Sequence, residues 1–105
     1  MTTVAVIRGG PSSEYQVSLQ TGAAVLEALK GNPRYRTKDI VITKTGEWLS
    51  DGFSRRPEAQ LVGVDVVFNA LHGTYGEDGG LQRLLEKLHL RFTGSSSVAS
   101  ALAFH

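Results

Sequence analysis

The fold prediction depends most on residues 69–80, which read Asn-Ala-Leu-His-Gly-Thr-Tyr-Gly-Glu-Asp-Gly-Gly. An almost wholly apolar run, 64–71, leads into this stretch and has the pattern of a strand buried on both faces. Asp78 or Thr74 is expected to cap the helix that follows. A glycine-rich turn between a buried strand and a helix is where α/β sheets bind their ligands. The helix is predicted from leucines at i, i+3, i+4 and i+7, namely Leu81, Leu84, Leu85 and Leu88.

The N-terminal part of the chain repeats the order of strand, turn and helix. The apolar run 4–7 predicts another buried strand, which the residues Gly-Gly-Pro at 9–11 end. Ser13 and Gln16 have the spacing of a capping box, so a helix is expected to begin near Glu14. Its packing face is predicted to contain Val17, Thr21, Ala24, Val25, Ala28 and Leu29.

The remaining segments complete an α/β pattern. Strands are predicted over 38–43 and 90–93, and a short antiparallel ribbon is predicted at Trp48-Leu49. The polar stretch 50–60 is interpreted as a mobile surface loop, and a last helix is expected to start near Val98. A helix between the first two strands makes a right-handed crossover. We therefore predict one α/β domain, with a parallel sheet flanked by helices.

Composition argues against several classes of function. The 105 residues suit one domain, the net charge of +1 does not suggest nucleic-acid binding, and cysteine is absent, so no disulfides are expected. The three histidines are not at metal-ligand spacing, so no metal site is expected. With neither a basic leader nor an apolar run of membrane-spanning length, we expect a cytoplasmic protein without a membrane partner.

Two polar side chains are candidates for binding chemistry at the sheet edge. The carboxyl ends of parallel strands meet there, so the turn after the first strand and the 69–80 turn should converge. Glu14 would then offer a carboxylate and His72 an imidazole, which suits a zwitterion with an ammonium and a carboxylate group. Structural roles stay open: Glu14 as a first-turn charge, Asp78 as a helix cap, and Glu77 as a hydrogen-bonding group within its own loop.

Nucleotide-binding motifs are missing from the chain. The glycines at 9–10 lack the spacing of a dinucleotide fingerprint, and no Gly-Lys-Ser or Gly-Lys-Thr of a phosphate-binding loop occurs. The pair Arg55-Arg56 offers either a phosphate contact or a solvated surface. A nucleotide site is therefore not expected within these residues alone.

Two longer motifs resemble those of one enzyme family. Residues 9–19, Gly-Gly-Pro-Ser-Ser-Glu-Tyr-Gln-Val-Ser-Leu, resemble the opening GGxSxExxVSL motif of D-alanine:D-alanine ligases. Residues 72–79, His-Gly-Thr-Tyr-Gly-Glu-Asp-Gly, resemble the HGxxGEDG motif of that family. The segments 93–95 and 100–103 are similar to the TGS and SALA segments that follow in the family. The resemblance covers essentially the whole chain.

This resemblance implies a Rossmann-like parallel sheet that forms the N-terminal, substrate-binding pre-ATP-grasp domain over 1–105. The family joins two D-alanines for peptidoglycan: ATP phosphorylates the carboxylate of the first, and the amine of the second attacks the acyl phosphate. On matching positions, Glu14 would anchor the ammonium of the first D-alanine and His72 would bind and polarise its carboxylate. Val17 would lie near its methyl group. Loop support is implied for Gly9, Gly10, Ser12, Gly73, Glu77, Asp78 and Gly79.

The resemblance also implies parts that the chain lacks. The residues for ATP, for Mg²⁺ and for the reaction intermediate would lie beyond His105, in central and ATP-grasp domains. The isolated chain is therefore expected to be inactive and to bind neither ATP nor Mg²⁺ by itself. Arg83, Arg91-Phe92 and Phe104-His105 depart from the family's usual residues. The alternative is a non-catalytic binding or subunit-contact module of the same fold; a homodimer, and D-lactate or D-serine as second substrate, also stay open.

Overall fold

One mixed sheet runs through residues 1–72 and 79–93, which are the residues that the computed structural model describes. Its strands are β1 (Thr2–Gly9), β2 (Tyr35–Ile42), β3 (Trp48–Ser50), β4 (Phe53–Ser54), β5 (Val66–Asn69) and β6 (Arg91–Thr93). They lie in the order β4-β3-β2-β1-β5-β6. β1, β2, β5 and β6 are parallel, whereas β3 and β4 add an antiparallel ribbon at one edge. The predicted α/β class is confirmed, and so is the predicted antiparallel ribbon at Trp48-Leu49, which makes the otherwise parallel sheet a mixed one.

The described helices cover both faces of the sheet: α1 (Tyr15–Leu29), α2 (Pro57–Gln60) and α3 (Gly80–Lys87). α1 packs on β1 and β2, where the Arg8 guanidinium donates a hydrogen bond to the Leu19 carbonyl. Side chains alternate along a strand, so Ile7 points to the opposite face. There it joins Leu81 and Leu85 of α3 in the main core. None of these three helices combines the length and the apolar character that crossing a membrane requires.

The central strands form because their apolar runs are buried against helices on both faces. β1 is buried from Val4 to Ile7, and Ile40 and Ile42 of β2 are fully buried. β2 begins at Tyr35, earlier than the predicted 38, because its exposed first half still pairs with β1. β5 covers only 66–69 of the predicted 64–71. Pairing with neighbouring strands therefore set the strand ends, which apolar patterning alone did not locate.

Helix α1 begins near Glu14 as predicted, but without the predicted cap. Glu14 is its N-cap residue, and no side chain provides a capping hydrogen bond, so the capping box of Ser13 and Gln16 is wrong. Instead, the Ser12 hydroxyl accepts a hydrogen bond from the Glu14 amide at 3.1 Å. The turn before the helix is thus closed one residue earlier than the motif spacing suggested.

The buried face of α1 also differs from the prediction. Its fully buried residues are Ser18 and Gly22, while Val17 is 51% exposed. Gly22 lies against the Arg8 side chain, which a Cβ at this position would overlap. Small residues face the sheet because they let the helix approach β1 closely.

The stretch 50–60, predicted as a mobile surface loop, contains β4 and α2 instead. The buried Gln60 side chain donates hydrogen bonds to the carbonyls of Trp48 and Phe53, and so ties the helix to the ribbon. Helix α3 is confirmed, although its N-cap residue is Gly79 rather than Asp78 or Thr74. The helix predicted near Val98 lies outside the described residues.

Candidate functional site

The carboxyl ends of β1 and β5 lie side by side and form the candidate site. Ile7 pairs with Asn69 in the parallel register, and the Ala70 amide donates to the Ile7 carbonyl at 2.8 Å. The Gly9-Gly10 turn therefore leaves the sheet next to the segment that carries His72. This is the convergence that the parallel pattern predicted.

The turn after β1 requires glycine for two reasons. Gly9 and Gly10 have φ of +96° and +94°, a region that other residues rarely adopt. The Gly10 amide donates to the Ile42 carbonyl at 2.7 Å, and a Cβ on Gly9 would overlap that same oxygen. The turn thus passes close to the end of β2, and only residues without a Cβ fit there.

Ser18 joins α1 to both strand ends. Its hydroxyl is fully buried, accepts a hydrogen bond from the Gly9 amide at 2.8 Å and donates one to the Ala70 carbonyl at 2.7 Å. Both backbone groups lie beyond the last residues that pair between β1 and β5, so these two strands do not supply their hydrogen-bond partners. One side chain therefore holds together the two loops that carry the candidate residues.

Ser12 makes a second link between these loops. Its hydroxyl accepts from the Glu14 amide and lies 3.4 Å from the His72 carbonyl, to which it donates. The backbones of Glu14 and His72 are therefore connected through one hydroxyl group. Glu14 itself is exposed, so its carboxylate is free to meet a ligand from solvent.

The His72 imidazole is half-buried against α1. Its Nε2 atom lies 3.2 Å from the Thr21 hydroxyl, which also donates to the Val17 carbonyl at 3.0 Å. Thr21 was predicted only as part of the packing face, and its contact with His72 was missed. No spacing in the sequence signals this contact, because it depends on how α1 lies on the sheet.

A charged pair links helix α1 to the sheet. Arg8 donates to both carboxylate oxygens of Asp39, at 2.9 and 2.7 Å, and to the Leu19 carbonyl at 2.9 Å. The hydrogen bond to Asp39 raises the pKa of Arg8 above its ordinary value, against the opposing effect of burial. Arg8 of β1 is thus hydrogen-bonded to both β2 and α1.

Asn69 shapes the turn that follows β5. It is fully buried, and its Oδ1 atom accepts a hydrogen bond from the Leu71 amide at 3.0 Å. Its Nδ2 atom has no hydrogen-bond partner within residues 1–72 and 79–93. Asn69 is a polar residue within the apolar run 64–71, and its side chain bonds to the backbone two residues further on, just before His72.

Comparison with known proteins shows the family of the chain. A family model described as "D-ala D-ala ligase N-terminus" matches residues 3–61 and 50–95. The chain belongs to this family. The D-alanine–D-alanine ligase of Pelotomaculum thermopropionicum is 47% identical over 100 residues, which are 95% of this chain and 28% of that protein. The chain therefore spans less than a third of that ligase's length.

Solved structures of ligases share the fold. The VanG D-Ala:D-Ser ligase from Enterococcus faecalis has a TM-score of 0.70 and 31% identity, over 87% of this chain and 35% of the ligase chain. A D-alanine–D-alanine ligase from Bacillus anthracis complexed with ATP has a TM-score of 0.65 and 32% identity, over 89% of this chain and 28% of that one. The resemblance inferred from the two motifs is confirmed at the level of family and fold.

The ligase motifs can now be located in the structure. Ser12, Glu14 and His72 come together at the sheet edge, with Gly9 and Gly10 beneath them. Val17 lies on the exposed side of α1, one turn before Thr21, and Gly79 has a φ of +88° at the start of α3. Gly73, Glu77 and Asp78 lie outside the described residues, so their predicted roles stay predictions.

Among residues 1–72 and 79–93, no three His, Asp or Glu side chains come together in a way that would hold a metal ion. Glu14 and His72 are the acidic and imidazole groups that the two motifs bring to this edge.

Proposed function

We propose that this chain is the N-terminal domain of a D-alanine:D-alanine ligase and binds the first D-alanine at the edge where β1 and β5 end. The observation that carries the proposal is the hydrogen-bonded link from Glu14 through Ser12 to His72. It places a carboxylate-bearing residue and an imidazole-bearing residue on adjoining loops, as a zwitterionic ligand requires.

Each end of D-alanine would meet a group of matching chemistry. Glu14, an acceptor when ionised, would receive hydrogen bonds from the ammonium group, and His72 would donate to the carboxylate. Each charge-assisted contact would contribute about 1.5–3 kcal/mol. Val17, whose side chain is 51% exposed on α1, would offer an apolar surface to the methyl group. Binding both charged ends favours an amino acid over an amine or an acid alone.

The domains for ATP and Mg²⁺ would come from the rest of the protein. ATP would supply the phosphoryl group that activates a carboxylate for attack by a second amine, and D-alanine would be the substrate in both positions. One observation supports this division: the chain covers only 28% of the Pelotomaculum ligase. A reaction that consumes ATP also favours the cytoplasm as its location.

The proposal is tested on the full-length protein that contains this chain. We expect phosphate release from ATP to depend on D-alanine and to yield D-alanyl-D-alanine, while L-alanine in the same assay supports no release. D-Serine and D-lactate in the second position would define the subclass. If no D-amino acid supports phosphate release, the ligase proposal is wrong and a non-catalytic module of this fold is favoured.

A further inference from the structure

The Thr21 hydroxyl lies between two groups that both need a hydrogen-bond partner. Its oxygen is 3.0 Å from the Val17 carbonyl and 3.2 Å from His72 Nε2. A hydroxyl has one proton to donate and two lone pairs that accept. The carbonyl can only accept, so the proton of Thr21 goes to Val17, a common bond for threonine in helices.

This assignment fixes the state of the imidazole. With its proton on Val17, the Thr21 oxygen presents a lone pair to His72, so Nε2 must carry a hydrogen. Because Nε2 is the ring nitrogen that contacts Thr21, Nδ1 is the one left for a ligand.

We infer that Thr21 is a positioning residue, which holds His72 by Nε2 so that Nδ1 is presented to the substrate carboxylate. The inference rests on the proposed function for the identity of that substrate. A carboxylate only accepts hydrogen bonds, so Nδ1 must be protonated in the complex, with the proton taken from solvent. Thr21 suits both states of the ring, because it accepts from Nε2–H whether or not Nδ1 is protonated.

Packing does not account for Thr21 at this position. The fully buried residues of α1 are Ser18 and Gly22, whereas Thr21 is only partly buried. A valine would fill nearly the same space but would lack the oxygen. Thr21→Val therefore removes the hydrogen bond but nearly keeps the volume of the side chain. Thr21→Ser, in contrast, keeps the hydroxyl group.

The test compares these variants in the full-length protein. We expect Thr21→Val to raise the KM for D-alanine about three- to tenfold, while the KM for ATP is unchanged and Thr21→Ser stays within about twofold of the wild type. If Thr21→Val folds poorly, Thr21→Ala serves as the second variant. A wild-type KM for D-alanine in the folded valine or alanine variant would overturn the inference, and so would a serine variant as impaired as valine.

A spectroscopic measurement tests the same inference without activity. In protein labelled with ¹⁵N-histidine, we expect an exchange-protected His72 Nε2–H proton in the wild type and in Thr21→Ser, but not in Thr21→Val. His72→Gln assigns the signal. A proton on Nδ1 in place of Nε2 in the ligand-free wild type would overturn the inference. If the wild type shows the expected proton but no ligase activity, the proposed function fails while the assignment of Thr21 stands.

Discussion

The Ser18 hydroxyl donates a hydrogen bond to the Ala70 carbonyl at 2.7 Å, and this contact joins helix α1 to the end of β5. The same hydroxyl accepts from the Gly9 amide at the end of β1. The two sequence motifs, which are far apart in the chain, are thus held together by a buried side chain that lies within the first motif. This contact therefore helps to hold the two segments that carry Glu14 and His72 next to each other.

Ser18→Ala is predicted to destabilise the protein markedly. It would leave the Gly9 amide and the Ala70 carbonyl buried without this partner, at a cost of about 1–3 kcal/mol for each group. Urea unfolding of the wild type and the variant measures the loss. Ser13→Ala, at an exposed position of the same turn, is the control and should change stability by less than about 0.5 kcal/mol. Equal stability of the two variants would contradict the role assigned to Ser18.

Gly9→Ala is predicted to lower the free energy of unfolding more than Gly46→Ala does. Both glycines have a left-handed backbone, with φ of +96° and +92°. A Cβ on Gly46 has no atom within 4 Å, so its cost is that of the backbone alone, about 1–2 kcal/mol. A Cβ on Gly9 also overlaps the Ile42 carbonyl, which adds about 1–3 kcal/mol. Unfolding measurements that gave the same loss for both variants would rule out this close contact.

Arg8→Lys is predicted to destabilise the protein by about 1–2 kcal/mol, because lysine cannot make the paired bonds to Asp39 together with the bond to Leu19. A double-mutant cycle with Asp39→Asn measures the coupling. The folded pKa of Arg8 is raised, so its contribution is complete below the unfolded pKa and is lost only as pH rises through the folded value. Between about pH 6 and pH 9 arginine therefore stays charged, and its titration should not change the decrease in the free energy of unfolding that Arg8→Lys causes.

Val17→Ala is predicted to alter substrate binding without altering stability. Its side chain is 51% exposed, so truncation should change the free energy of unfolding by less than about 0.5 kcal/mol. Loss of contact with a methyl group should raise the KM for D-alanine severalfold. Val62→Ala, at a position that is 77% exposed, is the matched control and should leave that KM unchanged. A KM for D-alanine that is the same in both variants would remove Val17 from the site.

Much of the fold was predictable because its central strands and α3 have regular apolar patterns. The burial of β1 and the leucine spacing around Leu81 and Leu85 both appear in the structure as expected. The face of α1 was mispredicted because its closest contacts use small residues, Ser18 and Gly22, which apolar periodicity does not detect. The 50–60 segment was missed because the buried Gln60 orders it through hydrogen bonds to distant carbonyls.

The sequence was sufficient to predict that the segments carrying Glu14 and His72 meet, but not the hydrogen bonds that connect them. The roles of both residues in binding stay predictions. The parallel pattern was enough to bring Glu14 and His72 to one edge. The roles of Ser12 and Thr21 depend on distances between hydroxyl groups and His72, which no spacing in the sequence contains. Side-chain hydrogen bonds between elements remote in sequence can be found only once the helix has been placed on the sheet.

The central claim is that Glu14 and His72 bind opposite ends of D-alanine, and D-alanine-dependent phosphate release by the full-length protein tests it most directly. Glu14→Gln and His72→Gln are each predicted to lower kcat/KM for D-alanine about 10- to 100-fold. Glu27→Gln on the exposed side of α1 and His89→Gln after α3 are the matched controls and should retain wild-type values. Wild-type kcat/KM in both site variants would contradict the claim.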